Sequence, residues 1–220
     1  MGSERGPPTE PEPHGPLPRG RHKLSPEVVE RHQRARIYAA VSKEMAERGY
    51  DELTVSQIIA RARISRTTFY AQFANKREAV VATYEAVSER LLAILEEACG
   101  QEQEWSLQVK RGVEAMLGFS TAHPEEARLL ATRFDATDIR LDEGIRVSQR
   151  RLIELLGEGR RFPVGRSLPP IAEEALVGAI STVVTRGLES GTASPDLASQ
   201  LVQFILAFYL GASAAAELAG

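Results

Sequence analysis

The sequence predicts an all-α protein, and two observations over its 220 residues carry this prediction. Apolar residues recur at i, i+3, i+4 and i+7 in most segments, which is the spacing of one helical face. Between the breaks marked by proline and glycine, no segment alternates apolar and polar residues as a half-buried strand does. The predicted elements are a group of N-terminal helices, one long helix and a larger helical part.

The chain begins with a tail, residues 1–24, that is predicted to be disordered. Residues 1–18 are rich in Pro, Gly and Glu and contain one large aliphatic side chain, Leu17. They bury too little apolar surface to offset the loss of chain entropy. The tail has two interpretations, contact with a phosphate backbone or minor groove, and a solvated linker. Its basic arm consists of Arg19, Arg21, His22 and Lys23.

The first predicted helix starts at Ser25, which caps it, while Pro26 and Glu27 suit the first turn. The helix is predicted to reach Arg48 and to end at Gly49. One side of it is apolar and is expected to pack on the helices that follow. The residues of this side are Ile37, Ala40, Val41 and Met45.

The stretch Thr54–Phe73 predicts two short helices joined by a tight turn. The first runs from Val55 to about Ala62 behind the cap residue Thr54. The second begins after the cap Ser65 and exposes arginine, threonine and tyrosine side chains. This arrangement is typical of a helix-turn-helix, in which one helix enters the major groove and Arg, Gln and Thr meet base edges.

At these residues the sequence resembles the TetR family of bacterial transcriptional regulators, and the resemblance covers Arg31 to about Val81. Arg63 departs from the family pattern, because the turn usually has glycine there, and Thr67 stands where many members have glycine or alanine. An L-residue in that turn is expected to adopt positive φ at a cost of roughly 1–2 kcal/mol. The shared residues are Thr54-Val55, Ile59–Ala62, Ile64-Ser65, Thr68–Tyr70, Phe73 and Asn75–Ala79.

The pattern and the resemblance together predict the DNA-binding residues. Phosphate contacts are expected from Thr54, Tyr70 and Lys76, the last at a helix N-terminus. Base edges are expected to be read by Arg66, Thr67 and Gln72. The set is completed by Thr68, in either role, and by Ser65 as a cap.

Charge is unevenly distributed along the chain. Residues 19–77 contain 13 Lys and Arg against 6 Asp and Glu, a local charge of +7. Residues 78–220 contain 13 against 21, a local charge of −8. A basic N-terminal part followed by an acidic remainder is typical of a domain that binds a polyanion and is attached to one that does not.

A long helix is predicted from about Asn75-Lys76 to Cys99, and it would link the DNA-binding unit to everything after Gly100. The predicted domains are a disordered tail (1–24), a helix-turn-helix DNA-binding domain (25–75) and a helical regulatory and dimerisation domain (76–220). The five further predicted helices are Gln103–Thr121, Pro124–Phe134, Thr137–Glu158, Pro170–Ser190 and Pro195–Leu218.

The last two predicted helices have wide apolar faces with many small residues, which allow close helix approach. In the TetR family the corresponding pair packs against its copy as a four-helix bundle, so the resemblance implies a homodimer. A twofold dimer also doubles the discrimination of one short reading helix over a palindrome. The predicted interface residues are Ala179, Val183, Leu201, Ile205, Phe208 and Ala212.

Residues between the long helix and this pair are expected to enclose a cavity for a small-molecule effector. Ligand pockets are mostly apolar with a few polar groups. The same bulky residues also fit an ordinary core, and the sequence does not identify the ligand. The predicted lining residues are Trp105, Met116, Phe119, Phe134 and Ile145.

The expected function is a DNA-binding transcriptional regulator, a repressor that binds a palindromic operator in double-stranded DNA as a homodimer and is released by a small-molecule ligand. The alternative is a regulator without a small ligand, controlled by a protein partner or by its abundance. The four histidines form no metal-like cluster, and no nucleophile elbow or phosphate loop is present, so neither an enzyme nor a cofactor is predicted. One cysteine, no signal peptide and no membrane-length apolar run predict a cytoplasmic protein.

Overall fold

The computed structural model describes residues 25–132, 143–190 and 195–218, and every regular element in these ranges is helical. The chain divides into two compact units, residues 1–80 and 81–220. The predicted all-α fold class is therefore confirmed. The helices are α1 (Pro26–Glu52), α2 (Val55–Ala62), α3 (Arg66–Tyr70), α4 (Lys76–Gly100), α5 (Trp105–Ala122), α6 (Pro124–Ala131), α7 (Glu143–Gly157), a 3-10 helix (Glu158–Arg161), α8 (Pro163–Arg166), α9 (Ala172–Ser190), α10 (Pro195–Leu210) and α11 (Ala212–Leu218).

Helix α1 begins where its sequence predicts, but it continues past the predicted end at Gly49 to Glu52. The Ser25 hydroxyl accepts the N–H of Val28 at 3.4 Å, and Pro26 lies in the first turn. Gly49 interrupts the helix with φ 77°, a conformation that glycine adopts without a Cβ penalty. The predicted apolar face is confirmed, since its members are all at most 5 % exposed: Ile37, Ala40, Val41 and Met45.

The turn between α2 and α3 depends on Arg63, which has φ 51° and ψ 47°. It is the one non-glycine residue with positive φ in the described ranges. Its N–H donates to the Ala60 carbonyl at 3.2 Å, and the Arg36 guanidinium donates to the Arg63 carbonyl at 2.7 Å. The expected left-handed conformation is confirmed, and these hydrogen bonds offset its steric cost.

The core of the second unit is built from α5, α9 and α10. Trp105 packs edge-on against Tyr209, with ring centroids 5.3 Å apart, and tilts against Phe162 at 5.2 Å. Tyr209 is fully buried. Aliphatic side chains fill the space around these rings, among them Val109, Val113, Leu176, Ile180, Leu201, Ile205 and Leu206.

A charged network holds the chain between α8 and α9. The Arg160 guanidinium donates to both carboxylate oxygens of Glu173 at 2.7 Å, and also to the Leu168 and Pro169 carbonyls at 3.0 and 2.8 Å. The Tyr209 hydroxyl donates to the same carboxylate at 3.3 Å. The Arg160 hydrogen bonds keep the pKa of Glu173 below its ordinary value.

Two further helix predictions differ from the structure. The sequence predicts an unbroken last helix to Leu218, but Gly211, with φ 88°, separates α10 from α11. The segment from Gly157 to Gly165, predicted to be a break, contains the 3-10 helix and most of α8. Short helical turns of this kind are common as connectors between longer helices. The predicted helix ends near Phe134 and Thr137 lie outside the described residues.

Gly159→Ala is expected to destabilise the protein by about 1–3 kcal/mol, because overpacking forces neighbours to shift. A Cβ at Gly159 would lie 2.5 Å from the Tyr209 ring and 2.8 Å from Trp105. Urea unfolding measures the change. Gly157→Ala is the matched control, since nothing lies within 4 Å of its Cβ position. Equal stability of the two variants would contradict the packing argument.

Candidate nucleic-acid interface and ligand cavity

The first candidate site is the exposed surface formed by α2 and α3. Thr54 closes a capping box: its hydroxyl accepts the Gln57 N–H at 3.3 Å, and its own N–H donates to the Gln57 side-chain oxygen at 2.7 Å. Both residues therefore hold the first turn of α2 in place. Gln57 is absent from the predicted residues, although the Thr-x-x-Gln spacing is the signature of this box.

Helix α3 exposes three of the eight residues predicted to meet DNA. The Ser65 hydroxyl accepts the Thr68 N–H at 2.9 Å, which places Ser65 as the predicted cap. Arg66 and Thr67 are exposed, and Tyr70 is 49 % exposed beside the buried Phe69. The Arg66 guanidinium also donates to the Ser56 hydroxyl of α2 at 3.3 Å. Arg66, Thr67 and Tyr70 are therefore all accessible to solvent.

Two predicted DNA contacts are already engaged within the first unit. The Gln72 amide donates to the Gln33 side chain at 3.4 Å. The Lys76 ammonium donates to the carbonyls of Tyr50 and Leu53, both at 3.0 Å, and lies over the Tyr50 ring at 4.4 Å from its centroid. Gln72 and Lys76 would meet DNA through their side chains only by exchanging these hydrogen bonds.

The second candidate site is a cavity of about 410 Å³ within the second unit. Its walls come from α4, α5, α7 and α9, with one residue each from α6, the 3-10 helix and α10. Most of the lining is aliphatic, which suits a lipophilic ligand. The residues that define it best are Leu91, Leu95, Val113, Met116, Leu152 and Ile180.

The polar groups of the cavity include two carboxylates and a thiol. Glu96 pairs with Arg151 at 2.5 Å, while Glu158 has no ion-pair partner among the described residues. The Cys99 thiol donates to the Gln108 carbonyl at 3.4 Å. Burial, and then the charge of Glu158, raise the pKa of Cys99 above its ordinary value.

Two of the five predicted lining residues, Trp105 and Met116, lie in the cavity wall. Phe119 does not: its ring lies beneath the Arg90 guanidinium, 5.1 Å from it, and beside His123. This corrects the prediction, because helical spacing does not show which side of α5 faces the cavity. Phe134 and the Ile145 side chain lie outside the described residues. The leucines of α7 and Glu158 line the cavity without having been predicted.

The predicted dimer residues divide into a buried group and a more accessible group. Leu201 and Ile205 are each 3 % exposed and belong to the core of the second unit, so their assignment to an interface is corrected. The exposed apolar side chain of α10 is Phe204, at 45 %. The remaining predicted residues are more accessible: Val183 and Ala212 are exposed, and Ala179 and Phe208 are half-buried.

In the part of the chain that the structure describes, no helix is long and apolar enough to cross a membrane. Within the same ranges, no group of three His, Cys, Asp or Glu side chains is placed to hold a metal ion.

Solved structures with this fold are regulators of transcription. One is the fatty acid degradation regulator FadR from Bacillus halodurans, at 21% identity and TM-score 0.66, over 78% of this chain and 96% of that chain. A TetR-like transcriptional regulator from Rhodococcus sp. RHA1 is 24% identical with TM-score 0.66, over 84% and 97%. FadR from Bacillus subtilis in complex with stearoyl-CoA is 18% identical with TM-score 0.63, over 80% and 97%.

No curated protein matches the chain by sequence. The model of the family described as "Bacterial regulatory proteins, tetR family" matches residues 37–83, which include α2 and α3. That model matches the helix-turn-helix segment itself, so residues 37–83 are similar to the DNA-binding segment of the TetR family of bacterial regulatory proteins.

Proposed function

We propose that the protein is a repressor that binds a palindromic operator as a homodimer and leaves it when a lipophilic ligand occupies the cavity. The observation that carries the proposal is the pairing of an exposed reading surface in one unit with an aliphatic cavity of about 410 Å³ in the other. Helix α4 begins in the first unit with Lys76 and continues into the second, where Leu95 and Cys99 line the cavity.

Reading of base edges is proposed for Arg66 and Thr67, and phosphate contact for Thr54 and Tyr70. Arginine can donate two hydrogen bonds to the O6 and N7 atoms of guanine in the major groove. Thr68 is partly occupied by its hydrogen bond to Ser65 at 2.8 Å. The two reading helices of a dimer would lie roughly 34–36 Å apart on one face of the operator.

Arg66→Ala is expected to cost about 1–3 kcal/mol at one operator position and to relax the base preference there. The measurement is a binding assay against operator variants, with an operator first selected from a random duplex library. Thr67→Ser is the control, because it retains the hydroxyl. Equal weakening on every sequence would instead identify Arg66 as a phosphate contact.

The chemical class of the ligand follows from the cavity wall. Among the described lining residues there are two carboxylates and no Lys or Arg. Arg151 pairs with Glu96 and leaves Glu158 without a counter-charge. A ligand with a neutral or positively charged head therefore fits better than a carboxylate or a phosphate ester. The stearoyl-CoA of the Bacillus subtilis neighbour belongs to that protein, and here only its aliphatic chain has a matching surface.

The proposed switch acts through α4. Its second half supplies Leu91, Leu95 and Cys99 to the cavity wall, while Lys76 at its start holds the carbonyls that end α1. A ligand that binds more tightly to one orientation of this helix shifts the protein toward that orientation, and a coupling of about 1–3 kcal/mol is typical. Displaced reading helices no longer match the operator spacing.

A matched pair of probes tests the ligand class. We expect dodecyltrimethylammonium, below its micellar concentration, to raise the Tm and to slow labelling of Cys99, the single cysteine, more than dodecanoate does. Glu158→Gln is expected to reduce this preference about tenfold, since it removes the unpaired charge. The same samples report operator release by fluorescence anisotropy.

Three outcomes separate the possibilities. Stronger binding of dodecanoate would overturn the charge argument while leaving a lipophilic ligand. A compound that raises the Tm without releasing DNA would be an occupant and not an inducer. Absence of any ligand in a broad metabolite screen would favour the alternative, a regulator controlled by a protein partner or by its abundance.

A further inference from the structure

A basic groove lies between α1 and α2, on the first unit. It is lined by small apolar residues at its base and by cations at its rim, and it has a volume of about 310 Å³. We call it the α1–α2 groove. Its lining residues are Arg36, Ala39, Ala40, Lys43, Arg61, Ala62 and Arg63.

Only one of the four cations is neutralised by carboxylates in the part of the chain that the structure describes. Arg61 pairs with Glu44 at 2.5 Å and with Glu47 at 2.5 Å, and these hydrogen bonds raise its pKa further. Lys43 and Arg63 are exposed and have no ion-pair partner among the described residues. Arg36 donates to a backbone carbonyl and keeps its full charge. The groove therefore holds three uncompensated positive charges.

The groove is linked to the reading surface through α2. Ser56 and Ala60 are exposed and lie four residues apart on one face of α2, and the exposed Arg63 directly follows the last residue of the helix. Ser56 accepts the hydrogen bond of Arg66 at 3.3 Å. One end of α2 thus lies beside a proposed base-reading residue, and Arg63 lies directly after its other end.

Arg63 keeps a strained backbone that glycine would relieve. Its φ of 51° lies in the left-handed region, where an L-residue pays a steric penalty. The Arg36 hydrogen bond to its carbonyl orders this turn. The strained backbone of Arg63 has a functional explanation if its positive charge contributes to DNA binding.

From this geometry we infer that Arg36, Lys43 and Arg63 form a second phosphate-binding patch, which clamps the DNA backbone beside the reading helix. The inference rests on the proposed DNA-reading surface. The groove is open and the three cations are spread along α1 and the turn after α2, which suits a polyanionic backbone better than a single small anion. Cations of this kind add affinity and register without reading the sequence.

The test measures salt dependence with full-length protein and a mixed-sequence duplex, so no operator needs to be known. Arg63→Gly is expected to flatten the plot of log affinity against log salt by roughly 0.9 for each phosphate that the variant no longer neutralises. Between about 50 and 200 mM salt, the fall in affinity then becomes roughly three- to fourfold smaller for each such phosphate. Meanwhile the Tm of Arg63→Gly should rise, because the strain is removed.

Three controls make the result specific. Arg63→Lys retains the cation and should retain the wild-type salt slope. Lys43→Gln should flatten the slope with no gain in Tm. Lys110→Gln removes an exposed cation of α5 and should leave the slope unchanged.

Failure of the patch can be distinguished from failure of the proposed function. If the wild-type protein binds duplex DNA but Arg63→Gly and Lys43→Gln leave its slope unchanged, the patch does not touch DNA. If inorganic phosphate raises the Tm of the wild type alone under those conditions, the groove is a small-anion site instead. No binding of any duplex by the wild type would overturn the reading surface itself.

Discussion

Phe204→Glu is expected to convert the protein to monomers and to weaken operator binding by about 10²–10⁴-fold, the range by which two linked binding events exceed one. Phe204 is 45 % exposed on α10, and its ring lies 6.5 Å from that of Phe208. A large apolar side chain on the outer surface suits a helix from a second copy, and a carboxylate there would be buried unpaired. Sedimentation velocity and operator titration measure the two effects.

The control for this variant is Leu107→Glu, which changes another exposed apolar side chain of the second unit, 41 % exposed, to the same acid. It should remain dimeric and bind the operator normally. The neighbouring Ile205→Glu does not serve this purpose, because that side chain is buried in the core and the chain would unfold. An intact dimer of Phe204→Glu, with an unchanged sedimentation coefficient, would place the interface elsewhere.

Glu173→Gln is expected to lower the Tm by about 5–10 °C, since it leaves the Arg160 guanidinium without its carboxylate partner. The Glu173 side chain is 5 % exposed and accepts hydrogen bonds from Arg160 and from the buried Tyr209. Differential scanning calorimetry measures the change. Glu174→Gln is the matched control, because the adjacent carboxylate is exposed and should be nearly neutral to stability.

The pH dependence of the wild-type stability tests the same interaction between Glu173 and Arg160. The pKa of Glu173 is lowered in the folded protein, so its ionised form binds Arg160 and the unfolded chain takes up protons first. Its stabilisation is therefore present above the ordinary pKa of 4.5 and is lost as the pH falls through the lower, folded value. Glu173→Gln should not show this pH-dependent decrease. Equal acid sensitivity of variant and wild type would contradict the assignment.

Local features were predictable because short-range chemistry determines them. Ser25, Thr54 and Ser65 each precede a helix and cap it through hydrogen bonds that span three residues. Gly49 interrupts α1, and Arg63 adopts the left-handed conformation that its position in the turn requires. The exposed polar side of α3 was also predictable, since a short helix with polar residues on one side has only one apolar side to bury.

The cavity and the surfaces of the second unit depended on longer-range packing. Met116 and Phe119 lie three residues apart on α5, yet only Met116 reaches the cavity, while Phe119 packs under Arg90 of α4. Periodicity gives the spacing of a helical face but not the identity of the element packed on it. For the same reason Glu158 could not be assigned to the cavity wall.

The sequence by itself determined the helical class, the caps and the helix-turn-helix segment, because each depends on residues within a few turns of one another. The tertiary structure decided which side of α10 is buried. That helix is apolar around much of its circumference, so its sequence does not distinguish Ile205 from Phe204. Packing against α5 and α9 buries Ile205, whereas Phe204 lies on the side of the helix that stays exposed. It also decided that Lys76 is held by the carbonyls of Tyr50 and Leu53, residues more than twenty positions away, which no local pattern encodes.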